Sequence, residues 1–306
     1  MSPPLLCFLV IFSADAGKGP GSNGGVGAAA SDGGVGVAAD ATHAPAARAS
    51  SAPGGVAPAS DSRSHATTKE TLASLAPAAL LPRLDALYAQ RDDRRILAEQ
   101  RQFLDERARQ APSDFEILWR AARVYFWLGD DPSLPAEERS KLGKTGWDYA
   151  ERAVALAPQR VEGHYWAAVN IGTYALGLGV MRALSAGLEG KFRERLGRAE
   201  QIAPGYNHGG VGVAWGRFYE KLPWPKRDRG KAEEYLRKVI GQVNPNNLRA
   251  RVFLADTLAQ EGKPQEAKQL LDQVAAAPLG RYDAAEERRA KALGQGLTPS
   301  IIKMLK

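Results

Sequence analysis

The sequence predicts an all-α protein built from stacked helical hairpins, and three observations predict it. Apolar residues recur at helical spacing through residues 80–293, and no run alternates as a strand would. Prolines punctuate these stretches at Pro112, Pro158, Pro204, Pro245 and Pro278, spaced 46, 46, 41 and 33 residues apart. Ten residues after each of the first four comes an alanine: Ala122, Ala168, Ala214 and Ala255. A proline ends a helix because it lacks an N–H and clashes with the preceding turn. A small residue in the helix that follows lets two backbones approach closely.

The elements follow in order. Residues 80–88 and 93–110 form a first hairpin. Helix 114–128 pairs with 136–156 across the loop Asp130-Asp131-Pro132. Helix 161–176 pairs with 180–202, 206–221 with 229–243, and 247–261 with 264–276. A last helix, 283–293, caps the stack. This proline–alanine frame is that of the tetratricopeptide repeat. The predicted fold is an all-α, tetratricopeptide-like helical-hairpin solenoid with long degenerate repeats, about five of them in residues 68–306. The last spacing is close to the standard repeat of about 34 residues, with Gly262 at its turn and Ala267 and Leu271 on its second helix. The earlier units are longer by about 7 to 12 residues, and extra length in such arrays lies in loops on one face, often the binding face.

Ahead of the repeats, residues 5–12 are an apolar core leading into Ala14-Asp15-Ala16, so residues 1–16 read as a secretory signal, although Met1 to Pro4 carry no Lys or Arg. Residues 17–67 contain 36 Gly, Ala, Ser or Pro among 51, and no Leu, Ile, Met or aromatic residue. Such a segment buries too little apolar surface to offset its chain entropy and reads as a disordered tether. The sole cysteine, Cys7, leaves no means for a disulfide framework, a zinc cluster or a further cysteine nucleophile. The longest later apolar run, 169–181, is shorter than the roughly 18 residues of a membrane span and is broken by Gly172, Gly177 and Gly179. The net charge of +7, from 41 basic and 34 acidic residues, admits nucleic acid, anionic lipid or acidic partners. Motifs of mixed sign such as Glu137-Glu138-Arg139 fit solvated helix faces better than a phosphate track, so nucleic acid is not expected.

No catalytic arrangement stands out. There is no Gly-x-Ser-x-Gly elbow and no His-Glu-x-x-His, and Gly209, Gly210 and Gly212 follow no strand and lack a Lys-Ser/Thr ending. His164 and His208, the histidines of the repeat region, each sit near the start of a first helix. No enzyme, cofactor or metal is expected. Candidate binding residues come from the aromatic stripes. Trp166, Asn170 and Tyr174 fall at i, i+4 and i+8 on one helix, and Trp215 and Tyr219 at i, i+4 on the next, preceded by Tyr206 and His208. Side by side, these seven residues would line a pocket or pore of rings with a few polar tips, the usual make-up of a ligand site. The alternative is that the rings pack between helices as core. Leu222-Pro223-Trp224-Pro225 is a rigid turn whose tryptophan either contacts a partner or folds back over the helix ends.

The stretch Gly163-His164-Tyr165-Trp166-Ala167-Ala168, the group Ala203-Pro204-Gly205-Tyr206 followed by Gly209-Gly210, and the helix end at Leu222-Pro223 resemble the T component (TatT-like) of tripartite ATP-independent periplasmic (TRAP) transporters over about residues 80–276. The resemblance implies an exported protein of the periplasm or cell envelope, often lipid-anchored, with a central hydrophobic pore. It also implies association with the substrate-binding component and admits a homo-oligomer, a trimer. Carried over by position, Trp166, Asn170, Tyr174, Trp215 and Tyr219 would line that pore and hold a small apolar ligand. The chain departs from the family in its long tether and in Pro4-Leu5-Leu6-Cys7, which lacks the small residues of a lipobox. Related repeat domains outside transporters include the eukaryotic regulators of microtubule dynamics. The alternative function is a protein–protein scaffold with no small-molecule ligand.

Overall fold

The computed structural model describes Leu72 and residues 74–306. The predicted signal, 1–16, and tether, 17–67, lie outside the described residues. Helices run α1 Pro77–Tyr88, α2 Arg94–Gln110, α3 Phe115–Gly129, α4 Ala136–Leu156, α5 Val161–Leu178, α6 Val180–Ser185, α7 Leu188–Ile202, α8 Tyr206–Lys221, α9 Arg229–Lys238, α10 Leu248–Gln260, α11 Pro264–Ala276 and α12 Ala284–Met304. No strand occurs among the described residues.

The five prolines do what their chemistry predicts. Helices α2, α4, α7 and α11, and the π-helical turn Val239–Val243 that extends α9, each stop two residues before a proline. The residue between leaves the helical region, with ψ of 74° at Ala111, 73° at Ala157, 84° at Ala203, 96° at Asn244 and 136° at Ala277. Proline excludes the α conformation from the residue before it. The next first helix then opens on a side-chain cap in three repeats. Asp114 accepts from the backbone N–H groups of Glu116 and Ile117, Asn247 from that of Ala250 and Asp283 from that of Glu286.

Small residues set the helix spacing. Ala122, Ala168 and Ala255 are fully buried, while Ala214 is partly buried. The tightest approach uses glycines, between α4 and α5. A Cβ at Gly143 would sit 2.4 Å from the Tyr174 backbone nitrogen, and one at Gly177 2.4 Å from that of Ser140. One core of buried side chains runs from Leu72 through Trp215 and includes Ala285; a second runs from Val213 to Ile301.

Three elements differ from expectation. The helix expected over 180–202 is two, α6 and α7, because Gly187 adopts φ +67° between them. Helix α8 opens with a left-handed stretch at Asn207 (φ 51°), His208 (φ 58°) and Gly209 (φ 89°) before regular helix resumes. The capping helix runs through Gly294, Gly296 and Pro299 to Met304, where an end near residue 293 was expected. Leu297 and Ile301 are buried against the second core, and that burial outweighs the propensity cost of the glycines and proline.

The C-terminal helix also reaches back to the first hairpins. Arg91 pairs with Asp283 at 2.7 Å, and Arg288 pairs with Asp92. Arg289 donates to the Trp127 carbonyl at 2.9 Å and lies over the Trp127 ring. The N-terminal end of α12 is thus held against the end of α3 and the turn after α1.

Candidate functional site

The helices surround a cavity of about 240 Å³. Apolar lining comes from α5 to α8: Trp166, Val169, Leu188, Phe192 and Val213, with Phe126 of α3 packed on Trp166 at 5.7 Å between centroids. Charged lining comes from the turn after α1, the end of α3, α10 and the start of α12, and also from Arg139 of α4, Glu189 of α7, and Arg217 and Lys221 of α8. There Arg249 bridges Glu286 and Asp130, the latter at 2.8 Å, while Arg91 pairs with Asp283. Burial alone would lower the Arg249 pKa, but Asp130 and Glu286 overcome it and raise the guanidinium above its usual range. Arg249 is 8% exposed, and its Nη2 has no hydrogen-bond partner. A buried donor left unsatisfied is costly, and a ligand acceptor at the charged wall would relieve it.

Local backbone chemistry shapes this wall. The carboxylate of Glu287, fully buried, accepts the backbone N–H groups of Gly280, Arg281 and Tyr282, the last two at 2.8 Å. That fixes the loop carrying Tyr282 and Asp283. The left-handed stretch is held likewise: Asn207 Nδ2 donates to the Tyr165 hydroxyl at 3.0 Å, and Asn247 Nδ2 to the His208 carbonyl at 2.9 Å. Positive φ at two consecutive non-glycine residues is costly and persists only where such contacts over-determine it. It places Asn207 and His208 in the cavity wall, with the His208 ring edge-on to Tyr282 at 5.3 Å.

The seven residues singled out from the sequence divide. Trp166 and His208 line the cavity. Tyr206 stands behind Trp166 and accepts its indole N–H at 3.2 Å. Asn170 is fully buried between helices, donating to the Ala122 and Trp166 carbonyls at 3.0 and 2.8 Å, and it is not part of the lining. Tyr174 packs against Trp147, with centroids 6.0 Å apart. Trp215 and Tyr219 stack with Tyr235 outside the lining, behind the lining rings Phe192 and Phe218, and the Trp215 indole donates to Glu200 at 2.9 Å. For these last residues the structure shows ring packing between helices. The lining residues that sequence reasoning missed include the charged ones, Arg91, Asp130, Arg249, Asp283 and Glu286, with Arg139, Glu189, Arg217 and Lys221, and the rings Phe126 and Phe253.

Among the described residues, no group of His, Cys, Asp or Glu is arranged to hold a metal ion, and no helix is long and apolar enough to cross a membrane.

Comparison with known proteins agrees with this architecture. Residues 80–208 match the family model described as regulator of microtubule dynamics protein 1-3, and residues 226–288 match a tetratricopeptide repeat model. The crystal structure of a thermophilic TPR protein of Thermus thermophilus superposes with a TM-score of 0.52 at 18% identity, covering 71% of this chain and 97% of that one. No curated protein matches the chain. The fold is therefore that of a tetratricopeptide-like helical repeat protein, a class built for binding other proteins.

Proposed function

We propose that this chain is a non-enzymatic binding protein of the cell envelope that holds a small amphiphile in its cavity and docks a protein partner. The observation that carries the ligand is the cavity itself: a wall of rings and aliphatic side chains facing a buried guanidinium with one unsatisfied nitrogen. Its volume exceeds the roughly 150 Å³ of engineered apolar cavities that take up benzene. The finer reading, an accessory component of a TRAP-type transporter that meets a periplasmic substrate-binding component, rests on the motifs between Gly163 and Pro223. The residue 80–208 match includes most of those motifs and supports a binding role outside transporters as well.

The test is titration of the full chain with a fluorescent long-chain carboxylic acid, alongside native mass spectrometry of protein purified from its own host. Val169→Phe places a ring in the apolar wall and is expected to weaken the probe about tenfold or more while the helical circular dichroism is kept. Absence of saturable binding to the unaltered chain, together with an unliganded native mass, would leave a protein–protein scaffold in which the aromatic residues are core.

A further inference from the structure

We infer that the rim formed by α6 and the loop after α8 docks onto an anionic lipid bilayer. Among the described residues, the two most exposed large apolar side chains are Trp224, 86% exposed, and Met181, 72% exposed. They lie about 40 residues apart in sequence, yet each is next to a half-exposed residue of the cavity lining, Met181 to Val180 and Trp224 to Pro223. An ion pair between Lys226 and Glu189 at 2.6 Å ties the loop to the start of α7. Both apolar tips thus stand beside the part of the lining that α6, the start of α7 and the end of α8 supply.

The loop is held in shape before any partner arrives. The backbone N–H groups of Lys226 and Arg227 donate to the Pro223 carbonyl at 2.9 and 3.1 Å, and Arg227 Nε donates to the Leu222 carbonyl at 2.9 Å. Trp224 is presented at little further entropic cost on binding.

The surrounding charge selects the partner. Residues 180–193 and 222–231 carry seven Lys or Arg (Arg182, Lys191, Arg193, Lys226, Arg227, Arg229, Lys231) against two acids, Glu189 and Asp228, a local basic excess flanked by Glu194, Glu220, Glu233 and Glu234. Glu189 and Asp228 are already engaged by Arg193, Lys226 and Lys231. An exposed tryptophan and methionine within an excess of basic residues is the composition of a surface that sits at the headgroup boundary of anionic lipid. Docking on this rim would put that part of the cavity lining against the bilayer, a source of the amphiphile. In that respect the inference rests on the cavity reading above.

The experiment separates the two. The full chain is sedimented with phosphatidylcholine vesicles and with phosphatidylcholine/phosphatidylglycerol vesicles, at low and at high salt. The expected result is binding to the anionic vesicles alone, weakened by salt. The double variant Met181→Ser/Trp224→Ala should lose about tenfold or more in vesicle affinity while retaining the soluble fluorescent acid, because both side chains are exposed. Val169→Phe should do the reverse. Equal sedimentation of the double variant and the unaltered chain would overturn the rim assignment, as would indifference of the unaltered chain to anionic lipid. Absence of saturable acid binding by the unaltered chain, with its vesicle binding intact, would overturn the cavity reading alone.

Discussion

Replacing Gly143 by alanine tests the packing of the array most directly. The added methyl would lie 2.4 Å from the Tyr174 nitrogen, 2.8 Å from its Cα and 2.9 Å from the Thr173 carbonyl carbon. All three are backbone atoms of α5, so no flexible side chain can move aside. The nearest distance is roughly 1 Å inside van der Waals contact, so α4 and α5 must separate locally and give up dispersion along their seam. Overpacking of this kind costs about 3 kcal/mol at its upper end, and alanine returns about 1 kcal/mol of helix propensity. The net loss is about 2 kcal/mol, a fall in Tm of about 4–8 °C for a folded region of this size. Gly197 in α7 is the control, since nothing lies within 4 Å of a Cβ built there. Gly197→Ala should gain about 0.5–1 kcal/mol from propensity and the unfolded state. Both are read by thermal and denaturant unfolding followed by circular dichroism. A stabilising Gly143→Ala, matching Gly197→Ala in sign, would refute the close approach of the two helices.

Further outcomes are expected. Trp215→Ala should cost about 3–5 kcal/mol as a buried ring is lost, and should weaken the fluorescent acid less than Val169→Phe does, because Trp215 is not in the lining but packs behind Phe192 and Phe218, which are; parallel unfolding and binding titrations check both halves. Arg249→Leu leaves Glu286 and Asp130 short of their shared cation and should destabilise by about 3 kcal/mol, with the loss largely recovered in Arg249→Leu/Asp130→Asn/Glu286→Gln; denaturant midpoints decide. Stability should fall on acidification in two stages. Burial holds the His164 pKa below its ordinary 6.5, with Arg195 and Arg198 adding to the effect against the Pro158 hydrogen bond. The unfolded chain then binds the proton that the native chain refuses, so stability present above pH 6.5 is lost as pH falls through the depressed native value. Asp85 and Glu116 are partly buried, which raises their pKa, but Arg120 and Arg123 at Asp85, and the Trp119 indole with Arg120 at Glu116, overcome this and lower it; their contribution is lost further down, below about pH 4. His164→Gln should flatten the first stage alone in a stability–pH series.

The helical hairpins were legible in the chain because their signals are local. A proline acts on its own backbone and on the residue before it, so the ends at Gln110, Leu156, Ile202, Val243 and Ala276 could be placed from the sequence alone. The small residues opposite them could be read as contact points for the same reason. Periodicity also identified the ring-bearing faces, but it could not say which neighbour each ring meets. Trp166 and Trp215 lie within one helical turn of the same place in successive repeats, yet one faces the cavity and the other the Tyr219–Tyr235 stack. That difference depends on how each repeat turns against the next, and the break at Gly187 and the left-handed stretch at Asn207 and His208 both enter it. The charged wall was invisible in one dimension. Arg249 and Asp130 are 119 residues apart, and Arg91 and Asp283 are 192 apart. The sequence by itself determined the class of element, the position of its ends and the small residues that let helices meet, all of which follow from the covalent chemistry of neighbouring residues. Only the tertiary structure decided which charges pair across the array, how far α12 runs past Pro299 and what the cavity presents, because each depends on burial against chain distant in sequence.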